Sequence, residues 1–123
     1  MASKAELMEL IVAERSASIV GNLPLLATLW AEDARIVDGR DTPFPDDDLI
    51  WQGRAAILDR YTLAVLPAPP PPLERAALDS ATLQMQPVTG YPTVAQVVNG
   101  GDRWQLVYRA GRWWLLELVY SSP

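Results

Sequence analysis

The sequence predicts an α+β domain, with helices first and a meander of strands after them. Three observations carry that reading. In the first half of the chain, behind the start signals Ser3, Asn22 and Gly53, apolar residues recur at helical spacing. From Thr82 onward they alternate or crowd into β-rich runs, with Asn99-Gly100 and Ala110-Gly111 as turns. The chain has 123 residues, 50% of them hydrophobic, which suits one core and a single domain over 1–123.

Each element has its own justification. Ser3 and Glu6 form a capping box for a first helix, whose apolar positions cover more than one stripe and predict burial on most sides. Gly21 supplies a left-handed stop. Asn22 caps a second, shorter helix with Pro24 in its first turn and Leu25, Leu26, Leu29 and Trp30 turned inward. Ala34–Asp38 reads as a short strand, and 39–48 as a loop with three consecutive aspartates, Asp46, Asp47 and Asp48. A third helix opens at Gly53 and is closed by Pro67, and Pro69–Pro72 form a stiff extended connector. Leu73–Ser80 is ambiguous between helix and strand. Thr82–Gln86, Thr93–Val98, Arg103–Arg109 and Arg112–Tyr120 are strands.

Composition removes whole classes of function. The chain has no histidine and no cysteine, so triads, imidazole bases, thiol nucleophiles, zinc knuckles and disulfides are excluded. Catalysis would fall to carboxylates, arginine, tyrosine, hydroxyls or a bound cofactor, and neither a cofactor nor a metal is expected. The aspartate run lacks the spaced oxygen ligands of a calcium loop and reads as a solvated loop or a helix start. A net charge of −5, with basic residues scattered singly, gives no basis for nucleic-acid binding. No apolar run reaches a membrane span of roughly 20 residues, and the charged N-terminus is no signal peptide. The expected location is cytoplasmic.

Four short anchors, taken in order, resemble the nuclear-transport-factor-2-like (SnoaL-like) superfamily. They are Gly21-Asn22-Leu23, Leu29-Trp30-Ala31-Glu32-Asp33-Ala34, Gly53-Arg54-Ala55-Ala56-Ile57 and Gly111-Arg112-Trp113. The resemblance implies a cone in which three N-terminal helices pack on a curved antiparallel sheet and enclose a pocket. The ketosteroid isomerase branch is the most useful comparison. It implies a general base at Asp38, on the end of the first strand. Counting back from Gly21 and from Gly111 places Glu14 and Arg103 at that branch's two oxyanion-donor positions. Those residues differ in chemistry from the tyrosine and protonated aspartic acid of the branch, so ketosteroid isomerisation itself is not expected.

Glu14 and Arg103 are expected to pair inside the pocket, because either charge buried alone would cost several kcal/mol. The candidate catalytic set is therefore Asp38, Glu14 and Arg103, and the candidate ligand-binding set is Tyr61, Trp30, Trp51, Leu116 and Leu118. Simpler roles stand beside these. Asp38 can be a solvated strand end, Glu14–Arg103 a structural pair, and Tyr61 a core residue with its hydroxyl bonded. Trp51 and Phe44 can lid the pocket or merely anchor their loop.

Three functions follow: a pocket protein for a small, mostly apolar molecule; a cofactor-free isomerase, dehydratase, cyclase or epoxide hydrolase with Asp38 as base; and a dimeric assembly module with a vestigial pocket. A homodimer is expected through an outer sheet face of Trp104, Leu106, Tyr108, Trp113, Leu115 and Val119, a patch typical of an association surface unless an extra helix or the loop after Asp38 covers it.

Overall fold

The computed structural model describes residues 4–38, 49–70, 82–88, 91–99 and 102–120. Helix α1 (Lys4–Val20) ends at Gly21, which takes φ +74°, and the Asn22 amide returns to the Ala17 carbonyl at 2.9 Å. The helix buries one face only. Leu7, Met8, Ile11, Glu14, Ala17 and Ser18 are buried, whereas Val12 and Val20 are 37% and 75% exposed, which corrects the expectation of burial on most sides. Asn22 caps α2 (Leu23–Leu29), its Oδ1 accepting from the Leu25 amide at 3.2 Å. Leu26 and Leu29 are buried there, but Leu25 is 37% exposed, and Trp30 already belongs to the first strand.

Strand β1 (Trp30–Asp38) is longer at its start than Ala34–Asp38, and β2 (Leu49–Gln52) was not anticipated. Gly53, at φ +91°, starts α3 (Arg54–Arg60), which continues as a π-helical turn over Tyr61–Val65. The last four strands are β3 (Thr82–Val88), β4 (Tyr91–Asn99), β5 (Asp102–Arg109) and β6 (Arg112–Tyr120). Ala110 and Gly111, both at positive φ, make the β5–β6 turn. Ser3, Phe44, Asp46–Asp48, Pro71–Pro72 and Leu73–Ser80 lie outside the described residues.

The sheet runs β2-β1-β6-β5-β4-β3. Its neighbours are antiparallel except β1 and β6, which are parallel, so the expected antiparallel sheet is a mixed one. That parallel pair sets Asp38 opposite Tyr120.

Which residues face the helices is decided by one irregularity. From the turn, Tyr108 pairs with Trp113, Val107 with Trp114 and Leu106 with Leu115; Gln105 then pairs with Glu117, so Leu116 is extra. Leu118 consequently opposes Trp104 rather than Arg103. The inner side chains on these strands are Trp104, Leu106, Trp113, Leu115 and Leu118, all at most 7% exposed and clustered with Leu7, Ile11, Trp30, Ile57 and Tyr61. Trp30 and Trp104 stack with centroids 6.2 Å apart.

Two expectations fall with this register. Arg103 is exposed and on the opposite face from Trp104, so it forms no buried pair with Glu14. Trp104, Leu106, Trp113 and Leu115, offered as an outer association patch, are core. Tyr108 shares their face at the strand end, and Val119 alone of the six has the outward register. The outer face carries Arg103, Gln105, Gln96 and an Arg35–Glu117 ion pair at 2.5 Å. Among the described residues no helix is long and apolar enough to cross a membrane.

Candidate functional site: a buried carboxyl and a clamped arginine

The helix-facing side of the sheet changes character toward the far ends of β1 and β6. There α1, the α3–π junction, β1, β5 and β6 converge on a cavity of about 500 Å³. Helix α1 contributes Glu14, Arg15 and Ser18, and the α3–π segment contributes Arg60, Tyr61, Ala64 and Val65. The strands contribute Asp38, Asp102 and Tyr120, and Ala68 and Pro70 complete the rim.

Glu14 sits one turn after Ile11 on the core-facing stripe of α1, and only 4% of it is exposed. The Tyr61 hydroxyl donates to its Oε1 at 2.5 Å, and the Trp30 indole Nε1–H donates to the Tyr61 oxygen at 3.2 Å. Burial pushes the Glu14 carboxyl above its usual range; the Tyr61 bond and the charges of Arg15 and Arg60 only partly oppose this, and Asp102 adds to it. Tyr61 is held well above the usual phenol range, by burial first and by the Glu14 charge and hydrogen bond next. This phenol therefore stays a neutral donor. A protonated Glu14 accepts from Tyr61 on one oxygen and has a proton to offer from the other.

Arg60 is held by rings. Its guanidinium carbon lies 4.9 Å from the Trp51 centroid and 5.2 Å from that of Tyr120. Its Nη1 is buried without a hydrogen-bond partner. Burial raises the Tyr120 phenol to about 12, against the opposing charge and hydrogen bond of Arg60.

Of the residues singled out in the sequence, Glu14, Asp38 and Tyr61 line this cavity. Trp30 is wholly buried behind Tyr61, and Trp51 reaches the cavity only through Arg60. Leu118 lies in the core wall under Trp104, while Leu116 occupies the bulge. Arg103 is absent from the site, and Asp102, one residue earlier, stands there. Arg60 and Tyr120 were also missed. A polar residue directly before Tyr61, and another two residues past Leu118, were the available signals.

No protein-family model matches the chain, and no curated protein matches it. Solved structures do. An NTF2-like protein of unknown function from Pseudomonas putida KT2440 superposes with a TM-score of 0.58 at 14% identity, over 98% of this chain and 86% of that one. A hexachlorocyclohexane dehydrochlorinase (LinA, type 2) gives 0.56 at 12% identity, over 97% and 92%. A candidate ketosteroid isomerase from Shewanella frigidimarina NCIMB 400 gives 0.53 at 15%, over 92% of each chain. The chain therefore has the nuclear-transport-factor-2-like fold, also described as cystatin-like. At such identities the likeness extends to the fold and no further.

Proposed function

We propose that the chain is a small-molecule pocket protein that takes an oxygen-bearing head against Glu14 and Tyr61. The ligand's apolar body would rest on Ala64, Val65, Ala68 and Pro70. The observation that carries this reading is Glu14: a carboxyl buried in the core, held by a tyrosine donor, and open to a cavity. A carboxyl placed so deep, with Arg15 and Arg60 only partly offsetting its burial, is costly, and packing alone gives no reason for it. A protonated Glu14 supplies a donor to a carbonyl or hydroxyl oxygen in a site shielded from water.

A second reading is favoured by Asp38 lining the same cavity. With Glu14 donating to an oxygen, an Asp38 carboxylate could accept a proton from the neighbouring carbon, which is the work of a cofactor-free isomerase or lyase. The third possibility, a vestigial pocket within an assembly module, is disfavoured by the open volume beside Glu14.

The test is ligand-observed NMR with cyclohexanone, 2-naphthol and benzamide as probes. Binding that persists in Glu14→Gln, whose amide still donates, and is lost in Glu14→Ala and in the mouth-filling Ala64→Trp supports the reading. Binding indifferent to all three substitutions sinks it. Turnover of any bound probe that disappears in Asp38→Asn would select the second reading.

A further inference from the structure

We propose that Arg60 is the anion receptor of this cavity and that the ligand carries a single carboxylate; the inference rests on the pocket reading above and narrows it. Several other arginines spend their donors on the protein. Arg35 pairs with Glu117, Arg109 with Asp33, and Arg54 donates to the carbonyls of Ala27 and Trp30. Arg60 is in neither ion pair, and its buried Nη1 has no acceptor. A buried donor left unmatched is uncommon and marks a place where a partner is missing.

The rings of Trp51 and Tyr120 explain how the cation is tolerated. They hold the planar guanidinium from two elements, β2 and β6, and although Arg60 also hydrogen-bonds Tyr120, its Nη1 stays unmatched. A side chain fixed in this way has lost its rotamer freedom before any ligand arrives, so little ordering cost remains on binding. Arg60 lines the cavity, and a planar guanidinium fork is the group that two carboxylate oxygens match.

Charge balance selects the ligand class. Beside Glu14, whose carboxyl burial pushes above its usual range, the lining carries Arg15 and Arg60 against Asp38 and Asp102. The cations come from the helical wall and the anions from the strands. A carboxylate docked on the helical wall therefore meets the two cations rather than the strand carboxylates, and a Glu14 that holds its proton can add a hydrogen bond to it. A dianion such as phosphate would bring a second negative charge beside Asp38 and Asp102 and is disfavoured.

Benzoate and benzamide, equal in shape and different in charge, separate the outcomes. In titrations followed by amide NMR, benzoate is expected to bind the wild-type protein at least tenfold more tightly than benzamide, shifting Glu14, Tyr61 and Tyr120. Arg60→Gln should erase that preference. Arg60→Lys keeps the charge and loses the fork, so it should erase most of it and guards against misfolding of the glutamine variant. Arg103→Gln should change nothing. Equal binding of the two probes to the wild type overturns the carboxylate proposal and leaves the pocket reading intact. No shift at these residues with either probe overturns both. A benzoate preference that survives in Arg60→Lys and in a folded Arg60→Gln removes Arg60 from the role.

Discussion

Glu14 and Asp33 are carboxylates that meet opposite fates, and they mark two regions of the molecule. Asp33 lies near the surface, where Arg109 donates to it at 2.8 Å and holds its carboxyl below the usual range. Glu14 lies at the polar end of the inner sheet face, where burial drives its carboxyl upward and a neutral tyrosine is its hydrogen-bond donor. Surface charge here is matched by a full countercharge in water. Interior charge is matched by dipoles and by an arginine clamped away from direct pairing. The first arrangement is insensitive to what else binds, whereas the second leaves donors whose best partners would come from outside the chain.

The largest expected effect tests the apolar part of the inner face. Trp104 stacks on Trp30 and is 2% exposed. Trp104→Ala should cost about 3–5 kcal/mol in denaturant unfolding, the range for emptying a large aromatic site. Trp104→Phe keeps a ring and discards an indole N–H that is buried without a partner, so its cost should be clearly smaller. Were Trp104 an association residue on the outside, neither change would touch monomer stability.

Next in size is Tyr61→Phe. It removes the acceptor of the Trp30 indole and the donor to Glu14 together, leaving two buried groups unmatched. A loss of about 1–3 kcal/mol is expected. Because the Tyr61 bond is what most opposes the upward shift of Glu14, that shift should grow in the variant, as carboxyl NMR titration would report. A Glu14 that titrates unchanged in Tyr61→Phe would show that the hydroxyl does not serve it.

Glu14 itself predicts a pH signature. Its folded pKa lies above the unfolded value, so between the two the native state holds more protons and stability falls as pH rises. The penalty is absent below the unfolded value near 4.5 and complete above the folded one. Within that window the slope approaches about 1.4 kcal/mol per pH unit. Glu14→Gln, which cannot ionise, should lose this component, so its stability relative to wild type should climb with pH. A constant difference between the two proteins across the window would place Glu14 in water.

Much of this was legible in the sequence, and the failures have physical causes. Helix starts at Asn22 and Gly53, the stop at Gly21 and the Ala110-Gly111 turn depend on backbone geometry that particular residues impose locally, so they could be read. Strand β6 could not be oriented from itself. Trp113–Leu116 and Leu118–Tyr120 are apolar or aromatic at every position, so alternation says nothing about an extra residue at Leu116. Strand β5 could have been oriented. Trp104, Leu106 and Tyr108 alternate with Arg103, Gln105, Val107 and Arg109. The rule that the more apolar side turns inward places Asp102 in the cavity and Arg103 outside it, although Val107 on that other side is itself buried. Counting positions from the turn overrode that rule and carried the error across the bulge. Arg60 was beyond local reading, since its clamp comes from β2 and β6, far away in the chain.

The smallest effect is expected at Asp33 and Arg109, and its sign is what matters. The Arg109 hydrogen bond depresses the Asp33 carboxyl, with slight burial opposing and the Asp33 backbone and Arg109 charge assisting. A depressed folded value means that the pair's contribution is present above the unfolded value of 3.8 and is lost as pH falls through the folded one. This slope is opposite to that of Glu14. Its size is limited because the two side chains are 35% and 51% exposed, so water and salt screen them. Arg109→Ala should therefore cost less than about 1 kcal/mol at neutral pH, fading at high ionic strength. The same salt should leave the Glu14→Gln signature nearly intact, because ions do not reach a buried carboxyl. If both signatures fade together, the two carboxylates share one environment and the contrast between the regions does not hold.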